Sequence, residues 1–161
     1  MARASREPLN IYLAGPLFTQ AERLWNRELA TALEEALGCK VALPQDIPVD
    51  ERKPKRQRFG AIFRSCIEGL DACDVLVAVV DGADADSGTA FEMGYAYAIG
   101  KPVVAVRTDY RRQQEKGTNL MISRGCHGFV HVPAPQEGVG SVAAKIAREV
   151  ERVVRTHRSR K

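Results

Sequence analysis

Two carboxylates six residues apart, Asp86 and Glu92, are the side chains of this sequence best suited to covalent chemistry. They follow the Val-rich segment 74–80, whose nearly continuous apolar character predicts a parallel strand buried on both faces. A carboxylate near the end of such a strand can act as a nucleophile or stabilise a developing positive charge. We expect Glu92 to lie in the first turn of a helix that begins at Thr89, where the positive helix end would keep it ionised.

The same residues also have a purely structural interpretation. Thr89 and Glu92 have the spacing of a capping box, in which Glu92 accepts a hydrogen bond from a backbone N–H at the start of a helix. The local pattern alone leaves both interpretations open. Gly88 and Gly94 would allow backbone and ligand to approach each other closely.

Alternating strands and helices must position these carboxylates. Apolar runs bounded by Gly, Pro and polar residues predict strands at 9–14, 40–43, 74–80, 103–106 and 128–132. Apolar residues at helical spacing predict helices at 19–37, 59–70, 89–99 and 142–153, with a further short helix near Asn119. This order predicts one α/β domain over 1–161, with flexible ends at 1–8 and 156–161. Its core would be a doubly wound, flavodoxin-like, five-stranded parallel sheet with helices on both faces.

Ligands bind to such sheets outside the carboxyl ends of the strands, where the strand order switches. Function should therefore be sought in the loops after the first four strands, at 15–19, 44–57, 81–88 and 107–119. The acidic residues Asp81, Asp84 and Asp86 of the third loop match no established cation-binding pattern. We accordingly expect no metal and no cofactor.

Composition excludes several classes of protein. The 161 residues are 45% hydrophobic and carry a net charge of +4, which is typical of a globular domain. The longest apolar run is too short to span a membrane, and residues 1–8 lack the apolar core of a secretory signal. Four cysteines without a CxxC pair favour a reduced, cytoplasmic protein. The basic runs 52–58 and 148–161 have no interleaved aromatic residues, so we expect solvated surfaces and no nucleic-acid partner.

The runs 11–18, 69–74, 86–98 and 119–121 resemble those of the nucleoside 2-deoxyribosyltransferases and the related deoxynucleoside 5′-monophosphate N-glycosidases. The resemblance covers roughly residues 9 to 132. It implies an enzyme that moves 2-deoxyribose from one nucleobase to another through a covalent deoxyribosyl-glutamate, with overall retention. Its partners would be 2′-deoxynucleosides, free nucleobases and further copies of the same chain in a homo-oligomer.

The resemblance also implies roles for individual residues. Glu92 would be the nucleophile, Asp86 would hydrogen-bond the sugar hydroxyls, and the Tyr12 hydroxyl would orient Glu92. The alternative for Tyr12 is a core tyrosine on the first strand, without a catalytic role.

Five further residues would bind substrate by the same resemblance. Gly15 and Gly88 would line the site, Phe18 would stack on the base, and Gln45 would bind the base through its amide. Asn119 would reach the site of a neighbouring subunit. The structural alternatives are packing at the entry of a helix for Phe18, a plain loop residue for Gln45 and a helix cap for Asn119.

Two positions depart from the family pattern. Cys66 falls where some transferases carry an aspartate that serves proton transfer to the base, and a thiol is a weak hydrogen-bonding partner. Either Asp46 or Asp71 would then supply that proton, or Cys66 is simply a small buried apolar residue. Some family members place the terminal carboxylate in a neighbour's site, whereas the basic end 158–161 is unsuited to that role.

Three functions remain open from the sequence. Asp86 would repel a 5′-phosphate, which favours a transferase that acts on free nucleosides. The neighbouring Ser87 and the basic run 52–58 would instead suit a 5′-monophosphate N-glycosidase. A non-catalytic nucleotide-binding domain on the same fold requires Glu92 to be only a helix cap.

Overall fold

The computed structural model describes residues 8–111, 117–133 and 137–159. Strands and helices alternate along these residues, and a short 3-10 turn (Pro44–Asp46) follows the second strand. The elements are β1 (Asn10–Ala14), α1 (Gln20–Leu37), β2 (Lys40–Ala42), α2 (Lys55–Ala72), β3 (Val75–Val79), α3 (Ser87–Ala98), β4 (Val103–Arg107), α4 (Leu120–Gly125), β5 (Gly128–His131) and α5 (Val139–Arg158).

The five strands form one parallel sheet in the order β2-β1-β3-β4-β5. The chain moves outward from β1 to β2 and then returns to place β3 on the other side of β1. The strand order therefore switches between β1 and β3, and a ligand site is expected at their carboxyl ends. The predicted doubly wound α/β fold with a five-stranded parallel sheet is confirmed.

Residues of β3 alternate between two hydrophobic clusters, one on each face of the sheet. Val75, Val77 and Val79 face the cluster built with α1 and α5. Leu76 and Ala78 face the cluster that includes residues of α2 and α3. Every residue of β3 is therefore buried, as the apolar run in the sequence predicts.

Arg107, the last residue of β4, is only 1% exposed. Its guanidinium donates to the backbone oxygens of Val80 at 2.7 Å and Gly82 at 3.0 Å. The Asp81 carboxylate accepts in turn from the backbone N–H groups of Thr108 and Asp109. These bonds tie together the loops that leave β3 and β4.

Three helices begin earlier than predicted, among them α5, which starts at Val139 instead of 142. Helix α2 starts at Lys55, directly after Pro54, so part of the predicted loop 44–57 is helical. Helix α3 starts at Ser87 instead of Thr89, because Asp86 serves as its N-cap.

The structure describes only part of the two chain ends that the sequence predicts to be flexible. Residues 156–158, predicted to be part of a flexible end, form the last turn of α5. Most of the two predicted flexible ends, residues 1–7 and 160–161, lies outside the described residues.

Among the helices that the structure describes, none is long and apolar enough to cross a membrane.

Candidate active site

A cavity of about 680 Å³ opens at the carboxyl edge of the sheet, where the strand order switches. The loop after β1, the first turn of α1, the 3-10 turn, α2 and the start of α3 all contribute to its wall. Most of the lining is apolar. The polar side chains that line it are Arg23, Gln45, Cys66, Asp86, Thr89 and Glu92.

Glu92 is held by a short hydrogen bond from β1. The Tyr12 hydroxyl donates to Glu92 Oε1 at 2.6 Å, and Tyr12 itself is 2% exposed. Burial raises the pKa of Tyr12 far above its usual range, and the charge of Glu92 acts in the same direction, so the hydroxyl stays protonated and donates. The bond joins the centre of the sheet to the cavity wall and fixes one carboxylate oxygen.

The ionisation of Glu92 differs from the expectation based on the helix end. Glu92 lies in the second turn of α3, not the first, because the helix begins at Ser87. Burial raises its pKa, the hydrogen bond from Tyr12 lowers it, and the negative charge of Asp86 raises it. Glu92 is therefore a desolvated carboxylate whose charge depends on its immediate neighbours.

The capping box predicted from Thr89 and Glu92 does not form. The backbone N–H of Thr89 donates to Asp86 Oδ2 at 2.9 Å, and the Thr89 hydroxyl lies 3.3 Å from the same oxygen. A capping box does occur at the start of α1, where Thr19 and Glu22 bind each other's backbone N–H groups. The N-cap of α3 is therefore Asp86, and the Glu92 carboxylate is not used to cap the helix.

Asp86 combines two tasks. Its Oδ2 caps α3, and its side chain also lines the cavity beside Glu92. The two carboxylates thus face one space, as the sequence predicted. Their roles toward a substrate stay predictions.

Both glycines predicted to bind substrate line the cavity. A Cβ atom at Gly15 would lie 3.2 Å from Val79 Cβ and 3.3 Å from Asn26 Oδ1. The loop after β1 therefore passes so close to β3 and α1 that a larger residue would displace them. At Gly88 a Cβ atom would come within 3.1 Å of Asp86 Oδ2.

Phe18 and Gln45 also line the cavity, but Phe18 is exposed whereas the Gln45 amide is already hydrogen-bonded. Phe18 is 77% exposed at the rim, with its ring available for stacking. The Gln45 amide is already bound to α1: its Nε2 donates to the Arg23 backbone oxygen at 3.0 Å, and its Oε1 accepts from Asn26 at 3.4 Å. A base would have to compete with these bonds.

Asn119 is not among the described residues that line the cavity. It caps α4, since its Oδ1 accepts from the Met121 backbone N–H at 2.9 Å. Helix α4 packs on α3, next to a separate groove lined by Met121 and Tyr97. A contribution of Asn119 to a neighbouring subunit stays a prediction.

Cys66 lines the cavity near Tyr12 and Glu92. Burial raises the pKa of its thiol, which makes it a poor proton donor to a substrate. Asp46 forms an ion pair with Arg27, and Asp71 accepts a hydrogen bond from Tyr95. Neither aspartate is among the described cavity-lining residues, so neither is placed to replace the missing acid.

An aromatic wall was missed by the sequence analysis. Phe59, Phe63 and Phe91 line the cavity, and the rings of Phe63 and Phe91 lie 6.1 Å apart. The apolar spacing of Phe59 and Phe63 predicts a helix but not the surface that the helix contacts. Of the residues of α2, all of which are described, only Leu70 is buried, so this apolar stripe faces the cavity. Arg23 was also missed, since nothing in its sequence context indicates a cavity.

The basic run 52–58 does not reach the cavity among the described residues. Arg52 pairs with Asp50, and Arg58 pairs with Glu51. The Arg52 side chain is 91% exposed, whereas the Arg58 side chain is only 23% exposed, so the run is solvated in part. Within the described part of the chain, no cluster of three or more His, Cys, Asp or Glu side chains could hold a metal ion.

Solved structures with the same fold include one transferase of the kind that the sequence resembles. The chain is 27% identical to a 2-deoxyribosyltransferase of Bacillus psychrosaccharolyticus, with a TM-score of 0.62, over 83% of this chain and 90% of that one. A conserved protein of Enterococcus faecalis is 27% identical, with a TM-score of 0.69, over 88% of this chain and 98% of that one. These likenesses extend across nearly the whole described chain.

A CMP N-glycosidase of Clostridium botulinum is similar in fold alone. Its identity is 16% and its TM-score is 0.55, over 88% of this chain and 98% of that one. The family described as nucleoside 2-deoxyribosyltransferase matches residues 11–121, which span β1 to the start of α4 and include both cavity carboxylates. The chain therefore belongs to the nucleoside 2-deoxyribosyltransferase family.

Proposed function

We propose that this protein transfers 2-deoxyribose between nucleobases, with Glu92 as the nucleophile. The observation that carries the proposal is the Tyr12–Glu92 hydrogen bond at 2.6 Å, beside Asp86 in a cavity large enough for a nucleoside. One Glu92 oxygen is fixed by Tyr12, which leaves the other to attack a sugar carbon. Asp86 would bind the sugar hydroxyls and Phe18 would stack on the base.

The reaction consists of two displacements at the anomeric carbon. A Glu92 oxygen forms a bond to C1′ while the C1′–N bond breaks and its electron pair leaves with the base. An incoming base then attacks C1′ from the opposite side and returns the electron pair of the ester bond to Glu92. Two inversions give overall retention, as in retaining glycosidases.

The environment of Glu92 suits this chemistry. Removal of water from the carboxylate makes it more reactive toward a sugar cation than an exposed carboxylate. The hydrogen bond from Tyr12 offsets part of the cost of keeping it charged. A 2-deoxy sugar lacks the electron-withdrawing 2′-hydroxyl, which favours an oxocarbenium-like transition state.

The first test is a chromatographic assay of the pure protein with deoxyinosine, with and without adenine. Deoxyadenosine should appear only when adenine is present. The Glu92→Gln variant should lose activity by roughly a thousandfold or more, because it keeps the shape of the side chain but removes the nucleophile. Normal turnover by this variant would overturn the assignment of Glu92.

Hydrolysis of deoxynucleoside 5′-monophosphates is the second candidate, favoured by the fold that the chain shares with the N-glycosidase of Clostridium botulinum. Asp86 argues against it, since a carboxylate beside a phosphate costs on the order of a few kcal/mol. Release of free base from deoxyinosine monophosphate, without base exchange on deoxyinosine, would favour the hydrolase. Binding of nucleotides without turnover of either substrate would favour a non-catalytic domain.

The cellular setting follows from the same proposal. All four cysteines lie in the described part of the chain and none is in a disulfide, which supports a reducing, cytoplasmic location. We expect a homo-oligomer in which Asn119 contributes to a neighbouring site. Gel filtration with light scattering would measure the number of subunits.

A further inference from the structure

The cavity that holds the two carboxylates also carries a cationic side chain, Arg23 in the first turn of α1. Gln45 follows β2, whereas Asp86 and Glu92 follow β3, and β1 lies between these two strands. The Arg23 guanidinium lies beside Gln45, because it donates to the Gln45 backbone oxygen. At the usual spacing of strands, the axes of β2 and β3 lie about 10 Å apart. A nucleoside whose anomeric carbon meets Glu92 would therefore extend its base toward Arg23.

Arg23 has more hydrogen-bonding capacity free than Gln45 has. Both ends of the Gln45 amide are bound to α1. Among the described residues, the Arg23 guanidinium makes one long hydrogen bond, 3.4 Å to the Gln45 backbone oxygen. Its charge contributes, after the hydrogen bond and charge of Arg27, to the lowered pKa of Asp46. By contrast, Arg27, one turn further along α1, is held by Asp46.

We propose that Arg23 is the residue that selects the nucleobase, and that it favours 6-oxopurines over adenine; this inference rests on the proposed function. A guanidinium presents parallel N–H donors that match the O6 and N7 acceptors of guanine and hypoxanthine. Adenine presents an amino donor in place of O6, which opposes one of these donors. Arg23 would accordingly bind a base whose edge carries two hydrogen-bond acceptors.

The same contact assists bond cleavage. When the C1′–N9 bond breaks, its electron pair passes to N9 and the negative charge spreads over the ring to N7 and O6. Fixed N–H donors of Arg23 would stabilise this charge as it develops. The departing base takes a proton from water and leaves hydroxide. The incoming base releases its N–H proton to that hydroxide when it bonds to C1′, so the two displacements consume no net proton. This assistance fits a cavity in which Cys66 stands where a carboxylic acid would otherwise serve.

The test compares kcat/KM for deoxyinosine and deoxyadenosine in the wild type and in Arg23→Gln. The wild type should prefer deoxyinosine, and Arg23→Gln should lose roughly tenfold or more on deoxyinosine while changing little on deoxyadenosine. Arg27→Gln is the matched control, because it removes one positive charge from the same helix outside the cavity. It should leave the ratio of the two substrates unchanged. Arg23→Lys, which keeps the charge but not the paired donors, should recover only part of the preference.

Several results would overturn the inference. One is an unchanged substrate ratio in Arg23→Gln, and another is an equal loss in Arg27→Gln. A loss confined to 5′-monophosphates would show that Arg23 binds phosphate and not the base. If the wild type cleaves no deoxynucleoside, the proposed function fails instead. Calorimetry would then measure the affinity for free hypoxanthine and for free adenine. The role of Arg23 is upheld only if Arg23→Gln loses affinity for hypoxanthine and not for adenine.

Discussion

At the scale of single residues, the charge of Glu92 depends on two neighbours with opposite effects. The hydroxyl of Tyr12 donates to the carboxylate and stabilises its ionised form. The carboxylate of Asp86 repels the negative charge and favours protonation. Burial adds to the effect of Asp86, so the pKa of Glu92 lies above its usual value.

This arrangement predicts opposite shifts in the pH dependence of activity. A nucleophilic carboxylate must be ionised, so kcat/KM should fall as pH decreases through the raised pKa of Glu92. Tyr12→Phe removes the stabilising donor and should move this acid limb to higher pH. Asp86→Asn removes the repelling charge and should move it to lower pH. Both variants will also lower the maximum rate, so the position of the limb is the informative measurement.

The Glu92→Gln background supplies the control for these profiles, because its residual rate should show no limb in this range. Shifts in the same direction for Tyr12→Phe and Asp86→Asn would contradict the assignment of the limb to Glu92.

Some of the cavity lining could be predicted from the sequence and some could not. Asp86 and Glu92 could be found because carboxylates after a buried strand are informative by type and position. Arg23 could not be found, because a charged residue in the first turns of a helix is most often solvated. Its relation to the cavity depends on where the 3-10 turn after β2 lies.

At the scale of elements, α2 approaches β1 very closely at Gly69. A Cβ atom there would lie 2.8 Å and 3.0 Å from two ring carbons of Tyr12, well inside normal contact. The aromatic ring is anchored in the core and has little room to move. The position of α2 therefore controls the position of the Tyr12 hydroxyl.

We expect Gly69→Ala to reduce activity although it adds only one methyl group outside the cavity. The methyl group should displace the Tyr12 ring, lengthen its bond to Glu92 and destabilise the fold by about 1–3 kcal/mol. Urea unfolding and kcat measure the two effects.

Gly60→Ala, in the same helix, is the matched control. Its Cβ would meet only Arg64 Nη1 at 3.6 Å, an ordinary contact. It should stabilise the protein by about 0.5–1 kcal/mol and leave kcat unchanged. A loss of activity in this variant equal to that of Gly69→Ala would show that any change in α2 is harmful.

The start of α3 illustrates what local sequence cannot decide. Asp86 and Thr89 are both good N-cap residues, and either choice gives a plausible helix. The choice of Asp86 moves Glu92 from the first turn to the second and leaves its carboxylate free for Tyr12. Only the tertiary contact with β1 distinguishes the two alternatives.

At the scale of the whole molecule, Arg107 ties the loops after β3 and β4 at the edge that bears the cavity. Replacement by Met would leave the backbone oxygens of Val80 and Gly82 without their donors in a buried position. We expect Arg107→Met to lower the free energy of unfolding by roughly 3 kcal/mol. Thermal and urea unfolding would measure this change.

Arg111→Met provides the comparison. Its guanidinium is half exposed, and its partner Asp109, which is 10% exposed, keeps a hydrogen bond from the Gly82 backbone N–H. Loss of Arg111 should therefore cost about 1 kcal/mol, less than loss of Arg107. Equal destabilisation by the two variants would contradict the special role of the buried guanidinium.

The global fold was predictable because five apolar runs separated by helical patterns allow few arrangements. The wall of the cavity was not. The stripe on α2 has the spacing of a core-facing helix, and its true environment depends on how far α2 extends beyond the edge of the sheet. Phe59 and Phe63 therefore line the cavity and not the core.

The weak anchoring of α2 has a thermodynamic consequence. Leu70 is the one buried residue of that fully described helix, whereas α5 buries seven. Local opening should therefore cost less free energy in the first half of α2 than in the other long helices, and its amide protons should exchange with solvent fastest among them. A ligand in the cavity would contact this half directly. Binding should slow exchange there first, so the occupancy of the site could be followed from the backbone of α2 alone.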